Sequence, residues 1–388
     1  MSNNIYQWIA KKLWLVTLCS LVAFALYISF GRYLASNIDK YSEIFLETIN
    51  SQAPFTISAQ SINGAWTGLT PELTIKNTKI VFKESYLSPL EADLVILSFS
   101  PIASLLARTP QFHEIKIYGA KARQEFPQKK GFFPELFSSS SSLDKQWIEE
   151  NFSKIRTFSF MDSVIDLKGD NLSDNRLDVN FELQRFGEKH KVQIAINSNE
   201  EKVFRLVATG TGSPHNLESY YGDIYFLANL DSHKSISRIF SEFLPQSNFN
   251  SGRIESWLKV TPDDLNGYVD FLVTDILFSY GSNKVKIPTE YFSGLAMIHH
   301  RDHLWKIDGL NFILQSGESS LSIEKSSVSI NNEKILAAIS SVDVYTLSEI
   351  LSNAETLPVE LREFISKANP IGELKNLLLE VDFSGPEE

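Results

Sequence analysis

Cysteine is almost missing from this sequence. The one thiol, Cys19, lies inside the longest apolar run, so the rest of the chain folds without disulfides whatever compartment holds it. Positive charge is also short. Lys and Arg total 36 against 47 Asp and Glu, a formal charge of −11, and no basic cluster follows Lys129 and Lys130. That balance argues against a nucleic-acid partner and against a polybasic grip on anionic lipid. No GxxxxGK[ST] phosphate loop and no G-x-S-x-G nucleophile elbow are present. The carboxylates are scattered and form no pair suited to general acid–base work. Neither an enzyme nor a cofactor is expected.

Uncharged apolar stretches are scarce, with one exception at residues 13–30. At about 1.5 Å per residue that run makes a helix of roughly 27 Å, enough to cross a hydrocarbon core. Lys11 and Lys12 stand directly before it, and Trp14 and Tyr27 lie near its ends. Basic flanking residues keep residues 1–12 in the cytoplasm and send the bulk across. A cleaved signal peptide is the competing reading. The run exceeds the usual core of about 7–15 residues, and Gly-Arg-Tyr-Leu-Ala-Ser after Phe30 offers no A-x-A site. A single-pass, uncleaved anchor is therefore expected.

Leu34, Ile38, Tyr41, Phe45 and Ile49 then recur at helical spacing over residues 31–50. Such a helix continues the span and props the next domain against the bilayer, or packs on its own domain; both can hold. From Pro54 the period becomes two. Leu73 and Ile75, Ile115 and Ile117, and Leu177, Val179, Phe181 and Leu183 alternate with polar residues, and Val192, Ile194 and Ile196 follow a turn at Gly187. Phe271 and Val273, Phe312 and Leu314, Leu321 and Ile323, and Val328 and Ile330 continue the pattern. Alternation predicts antiparallel sheet with one apolar and one wet face. Turns are expected at 168–171, 263–267 and 331–334, and short helices at 101–108, 235–244, 346–353 and 358–368.

The fold class is thus mainly β: a transmembrane helix, then an elongated one-sided sheet with few helices. The expected segments are a first β segment at 51–137, a Ser-rich linker at 138–146, a groove segment at 147–345, and short helices with the start of a further β segment at 346–388. Beyond Phe383 the sequence stops at Ser-Gly-Pro-Glu-Glu without a terminating element, which reads as an interrupted chain.

Two local signals stand out. His299 and His303 have the spacing of two ligands on a helix face, but the glutamate of H-E-x-x-H is missing and both flanks read as strands. A polar hairpin turn is expected there instead of a metal site. Gly64, Trp66, Gly68 and Pro71 form the densest motif; glycines beside a large ring suit a tight structural corner.

The stretch from Ile57 to Leu73, with its G-x-W-x-G-L-x-P-x-L core, resembles the opening β segment of the AsmA-like superfamily, and most closely of its YhdP-type branch. Ser104-Leu105-Leu106 with Pro110, Gly222-Asp223-Ile224-Tyr225, and Pro370-Ile371-Gly372-Glu373-Leu374 match further steps in the family's order. Members of the branch are considerably longer. The resemblance implies a chorein-like, taco-shaped β-groove in the periplasm, an inner-membrane anchor, phospholipid movement towards the outer membrane, envelope integrity, and no enzymatic role.

The pattern suits that work. Helices are too few to cover so many strands, so two apolar faces meet in a sandwich or one curved sheet takes an apolar guest. An acyl chain of sixteen carbons faces about 12 kcal/mol on entering water, at about 0.8 kcal/mol per methylene. The lining candidates are Leu177, Val179, Phe181, Leu183, Val192, Ile194, Ile196, Leu321 and Ile323. The expected partners are phospholipids, the inner membrane and other envelope proteins. The rival reading is a closed scaffold for outer-membrane assembly that carries no lipid.

Overall fold

The computed structural model describes residues 2–52, 55–67, 70–82, 89–101, 103–104, 111–125, 155–168, 176–198, 201–212, 220–229, 247–248, 251–274, 277–280, 283–286, 290–301, 304–331, 334–352 and 359–382. The expected helix at 235–244 and the serine run at 138–142 lie outside them, as do most of 101–108 and, after Lys168, the expected turn at 168–171. The chain divides into two compact units, one built from Met1–Gln124 with Ser139–Asp166, the other chiefly from Leu167–Glu388.

The first unit begins with a single helix, α1 (Ser2–Ser36). Its stretch Lys11–Tyr33 is long and apolar enough to cross a membrane. The helix expected to run on to residue 50 is broken. Asn37 turns its side-chain amide back to the Tyr33 carbonyl (2.8 Å), and Lys40 N–H bonds to the Asn37 carbonyl (3.2 Å). An Asn side chain that competes for backbone partners favours a turn over helix interior. A 3-10 turn (Ile38–Tyr41) and a second helix, α2 (Ser42–Gln52), follow.

Four strands then pair antiparallel in sequence: β1 (Phe55–Thr67), β2 (Thr70–Phe82), β3 (Leu90–Phe99) and β4 (Phe112–Tyr118). β5 (Lys121–Glu125) meets β3 at Glu91 and Lys121. β6 (Thr157–Lys168) lies parallel to β4, a departure from the all-antiparallel expectation. Directly opposed residues share a face, so Ile62, Ile75, Val95, Ile117 and Phe160 form one row across this sheet. Ile62, Ile75, Val95 and Ile117 are buried, with Ile38 and Leu46 of the 3-10 turn and α2 packed against them. Asn50 of α2 also holds the edge of β1, accepting from Ile57 N–H (2.7 Å) and donating to its carbonyl (3.0 Å).

The second unit is an antiparallel meander. Its strands are β7 (Arg176–Phe186), β8 (Lys189–Ser198), β9 (Glu201–Thr211), β10 (Tyr221–Asn229), β12 (Ser251–Val260), β13 (Asp264–Thr274), β16 (Tyr291–Arg301), β17 (Leu304–Ser316), β18 (Ser319–Ile330), β19 (Lys334–Asp343) and β20 (Glu373–Asp382). Each pairs with the next in that order. The short strands β11 (Ser247–Asn248), β14 (Leu277–Tyr280) and β15 (Asn283–Lys286) form a separate sheet. Helix α3 (Val344–Ser352) follows β19, and α4 (Val359–Ala368) precedes β20. Asp343 caps α3 by accepting the Thr346 N–H (2.8 Å) and hydroxyl (2.6 Å).

Two described turns stand where the sequence puts them and a third is shifted. Phe186 pairs with Lys189, so Gly187 is the first of two loop residues, and its φ of 64° is one that glycine adopts without strain. Asn331 N–H bonds to the Lys334 carbonyl (3.0 Å), closing the turn expected at 331–334. The turn expected at 263–267 lies earlier. Thr261 N–H bonds to the Asp264 carbonyl (2.7 Å), and Leu265, Asn266 and Gly267 are already strand. Pro262 and Asp263 form the turn, while pairing claims Asp264, Leu265, Asn266 and Gly267.

Candidate functional site

The pairings of the second unit place one apolar residue opposite another across its whole meander. Leu183, Val192, Ala208, Ile224, Leu258, Gly267, Ile298, Ile307, Val328, Ala337 and Leu379 form an unbroken row over the eleven strands. At about 4.8 Å per strand step the row is roughly 48 Å long. The adjoining row points to the other face. It runs Gln184, Lys191, Thr209, Asp223, Lys259, Asn266, His299, Lys306, Ser329, Leu336 and Glu380, polar everywhere except Leu336. Along these two rows the faces differ, while the next row on the polar side carries Val207, Tyr225, Trp257, Tyr268 and Met297, the last three exposed.

The apolar face is not a closed core. Val179, Phe181, Val192, Ile194, Ile196, Leu206, Ile224, Phe226, Leu258, Ile298 and Ile307 are all half-buried. The expected hairpin parity is present: Val179 faces Ile196, Phe181 faces Ile194, and Leu183 faces Val192. Ile323 is half-buried opposite Phe312. Leu177 and Leu183 are buried, at 3% and 8% exposure.

Leu321 stands apart from the other candidates. It is 4% exposed in a closed cluster with Val342 and Ile350, with Leu314 and Leu347 packed on it. Helix α3 covers this end of the face, so Leu321 does not line an open surface.

The strict alternation is also interrupted at bulges, one of them in β17. In β17 the apolar phase moves from Ile307 and Gly309 to Phe312 and Leu314, beside Asn311 at φ 51°. The register against β16 shifts between Ser293 and Leu295, a bulge that keeps both apolar sets on one face. There Phe271, Phe292 and Phe312 cluster with ring centroids 5.0 to 5.7 Å apart. Phe312 lies over Gly294 and Gly309, where an added Cβ would fall 2.1 and 2.3 Å from its ring.

At one end of the face the chemistry changes. Arg185 and His190 are opposed across the β7–β8 hairpin, and His190 is opposed to Gly210 of β9. Tyr220 lies beside them, with its ring centroid 5.6 Å from that of His190. His190 is 5% and Tyr220 1% exposed, yet His190 Nε2 and the Tyr220 hydroxyl have no hydrogen-bond partner. A buried polar group left unpaired costs about 1–3 kcal/mol. Burial holds the His190 imidazole below its ordinary pKa, with the Arg185 charge a second cause. Burial likewise lowers Arg185 and raises the Tyr220 phenol.

Trp66, read as part of a turn, has a longer-range contact. It pairs with Pro71 across the β1–β2 hairpin, and its ring meets α1. Its centroid is 5.4 Å from Tyr27, and a Cβ on Gly31 would fall 2.3 Å from the indole. Gly64 faces Leu73; Gly68 lies outside the described residues. Gly31 thus gives the room that lets the first hairpin sit against the apolar helix.

His299 and His300 occupy adjacent positions in β16 and so project to opposite faces. His299 Nδ1 is 2.8 Å from Asn266 Oδ1, and the His300 ring is 4.3 Å from that of Trp305. The turn expected over these histidines does not include His299 or His300, which strand pairing claims, and Arg301 pairs with Leu304; His303 lies outside the described residues.

Several face residues were missed from sequence, among them Phe204, Leu206, Ile224, Phe226, Ile254 and Val269. Their period-two signal is present, but Ala208, Ser256, Gly267 and Gly294 dilute it. Arg185, His190 and Tyr220 share no linear motif; strand pairing alone brings them together.

A family model described as YhdP protein matches residues 1–385. No curated protein and no solved structure matches the chain.

Proposed function

The chain belongs to the YhdP family, and from that premise we propose that it is a membrane-anchored lipid-transfer protein whose apolar sheet face shields phospholipid acyl chains on their way towards the outer membrane. Lys11 and Lys12 hold its N-terminus in the cytoplasm, and its bulk stands in the periplasm. The observation that carries this reading is the uninterrupted apolar row from Leu183 to Leu379, backed by a polar row on the other face. Side chains left half-buried on such a row leave apolar area for a guest to cover. A methylene leaving water for that surface gains about 0.8 kcal/mol, so a continuous lining removes most of the barrier to acyl-chain movement. The headgroup stays at the rim of the face, and the movement requires no catalysis. Envelope integrity follows from lipid supply, and other envelope proteins are its partners.

A photo-crosslinker at Phe181 or Ile194 is expected to capture phospholipid in cells, and one at Asn180 is not, because Asn180 has the opposite parity. Equal capture at Asn180 and Phe181 defeats the reading. No capture at any of the three favours the closed scaffold.

A further inference from the structure

We propose that Arg185, His190 and Tyr220 form a phosphate-recognition site at the rim of the apolar face. The inference rests on the lipid-path reading, and adds where the polar part of the guest is held. Arg185 and His190 are directly opposed, on the same face as Leu183 and Val192 and one row beyond them. The row continues to Gly210 and Gly222, which face each other across β9 and β10. These glycines make a shelf: a Cβ on Gly210 would fall 2.8 Å from Tyr220 Cζ, so glycine is what lets the phenol lie there. The shelf brings the Tyr220 ring against His190, with centroids 5.6 Å apart.

The cluster is rich in donors and short of an acceptor. Arg185 is a permanent cation with five N–H donors, and among the described residues no carboxylate forms an ion pair with it. The Tyr220 hydroxyl and His190 Nε2 are buried without partners. Buried polar groups are nearly always paired, so an arrangement that leaves two unpaired beside a desolvated guanidinium calls for an incoming anion. Phosphate oxygens suit it: they accept several hydrogen bonds at once and match the guanidinium fork. The position suits it also. The next row inward is Leu183, Val192, Ala208 and Ile224, so a phosphate at the rim leaves its acyl chains on apolar surface.

Two sources share this chemistry, a phospholipid headgroup and free inorganic phosphate. The test uses the 388-residue chain in detergent. Its probes are diazirine-bearing phosphatidylglycerol, diazirine-bearing diacylglycerol, and inorganic phosphate. Arg185→Gln is expected to lower phosphatidylglycerol labelling about tenfold, the loss of a charge-assisted hydrogen bond. Tyr220→Phe is expected to lower it about threefold, and Arg185→Lys to fall between Arg185→Gln and the unaltered chain. Diacylglycerol labelling should not change in any of them. Where inorganic phosphate raises the melting temperature of the unaltered chain but not of Arg185→Gln, and lipid labelling is the same in both, the site stands and its ligand is free phosphate. Unchanged phosphatidylglycerol labelling in all three variants, with no response to phosphate, overturns the site. Failure of both lipids to label the unaltered chain defeats the lipid path instead, and the phosphate arm still judges the site. Should Arg185→Gln not fold, Arg185→Lys and Tyr220→Phe carry the same comparison.

Discussion

The two units contain sheets of similar composition put to different use. In the first, the row Ile62, Ile75, Val95 and Ile117 is buried, with Ile38 and Leu46 packed against it. In the second, the equivalent row is half-buried across most of its strands; among the described residues it is covered by α3 over Leu314, Leu321 and Val342, and by Tyr220 over Ala208 and Val260. Alternating residues generate both faces by the same rule. What differs is the supply of helix. The first sheet has amphipathic chain directly before it in the sequence, and over the second the one described helix packed on a buried cluster is α3. A sheet that follows a helix can be closed by it. On the lipid-transfer reading proposed above, the first unit supplies stability and the second the ligand contact.

Charge insertion separates the two most strongly. Ile75 is 0% exposed, so Ile75→Asp is expected to cost more than about 4 kcal/mol by placing an unpaired carboxylate in a closed core. Urea titration should show the first unit unfolded. Ile194→Asp, on the half-buried face, should leave the melt far less altered while abolishing lipid capture, since water can reach the charge. Equal destabilisation by the two substitutions would falsify the division into closed and open sheets.

Trp66→Ala tests how the closed unit is tied to its helix. The ring is half-buried against Tyr27 and Gly31, so the loss is expected at the lower end of the about 3–5 kcal/mol seen for aromatic truncation. Gly31→Leu should mimic it from the other side by removing the room for the indole. If both variants melt like the unaltered chain and only lipid capture falls, Trp66 is a lipid contact and not a dock.

Much of this was legible in advance. Leu177 to Leu183 and Val192 to Ile196 alternate so strictly that their face and their pairing follow from parity and a turn at Gly187. The end of the helix at Asn37 was not legible, because the apolar stripe continues through it while a side-chain hydrogen bond ends the helix. Whether a face is covered was not legible either. Leu321 and Val192 have the same local pattern, and only α3, packed from residues 344–352, buries one and leaves the other half-open. The Arg185, His190 and Tyr220 cluster was invisible for a related reason: it is made by register between strands, which no local spacing encodes.

A smaller effect distinguishes the rim from the rest of the open face. His190 faces Arg185 and Tyr220, and Asp223 acts on the Tyr220 phenol. Burial first, and Arg185 second, depress the imidazole pKa in the folded state. The unfolded chain then binds the proton more readily, so this contribution is fully present above the ordinary histidine value of about 6.5 and is lost as pH falls towards the lowered folded value. Melting temperature should therefore decline on acidification through that range, and His190→Gln should flatten the decline. A rise in stability on acidification that depends on His190 would reverse the assignment and mean that an anion already pairs with the ring.

The smallest expected effects compare the two faces of one strand. His299 belongs to the polar row, where its ring nitrogen meets the Asn266 side chain at the surface. His299→Asn should change stability by no more than about 0.5 kcal/mol, as for an exposed position. His300 projects to the other face and rests against Trp305. Losing an aromatic pair costs about 0.5–1.5 kcal/mol, so His300→Asn should be measurably worse than its neighbour. Because the two side chains lie on opposite sides of the sheet with different partners, the double substitution should equal the sum of the singles. Strong non-additivity, or a stoichiometric metal lost with either change, would mean that the two imidazoles act together. That requires both on one side of β16, and it would undo the parity on which the apolar and polar rows depend.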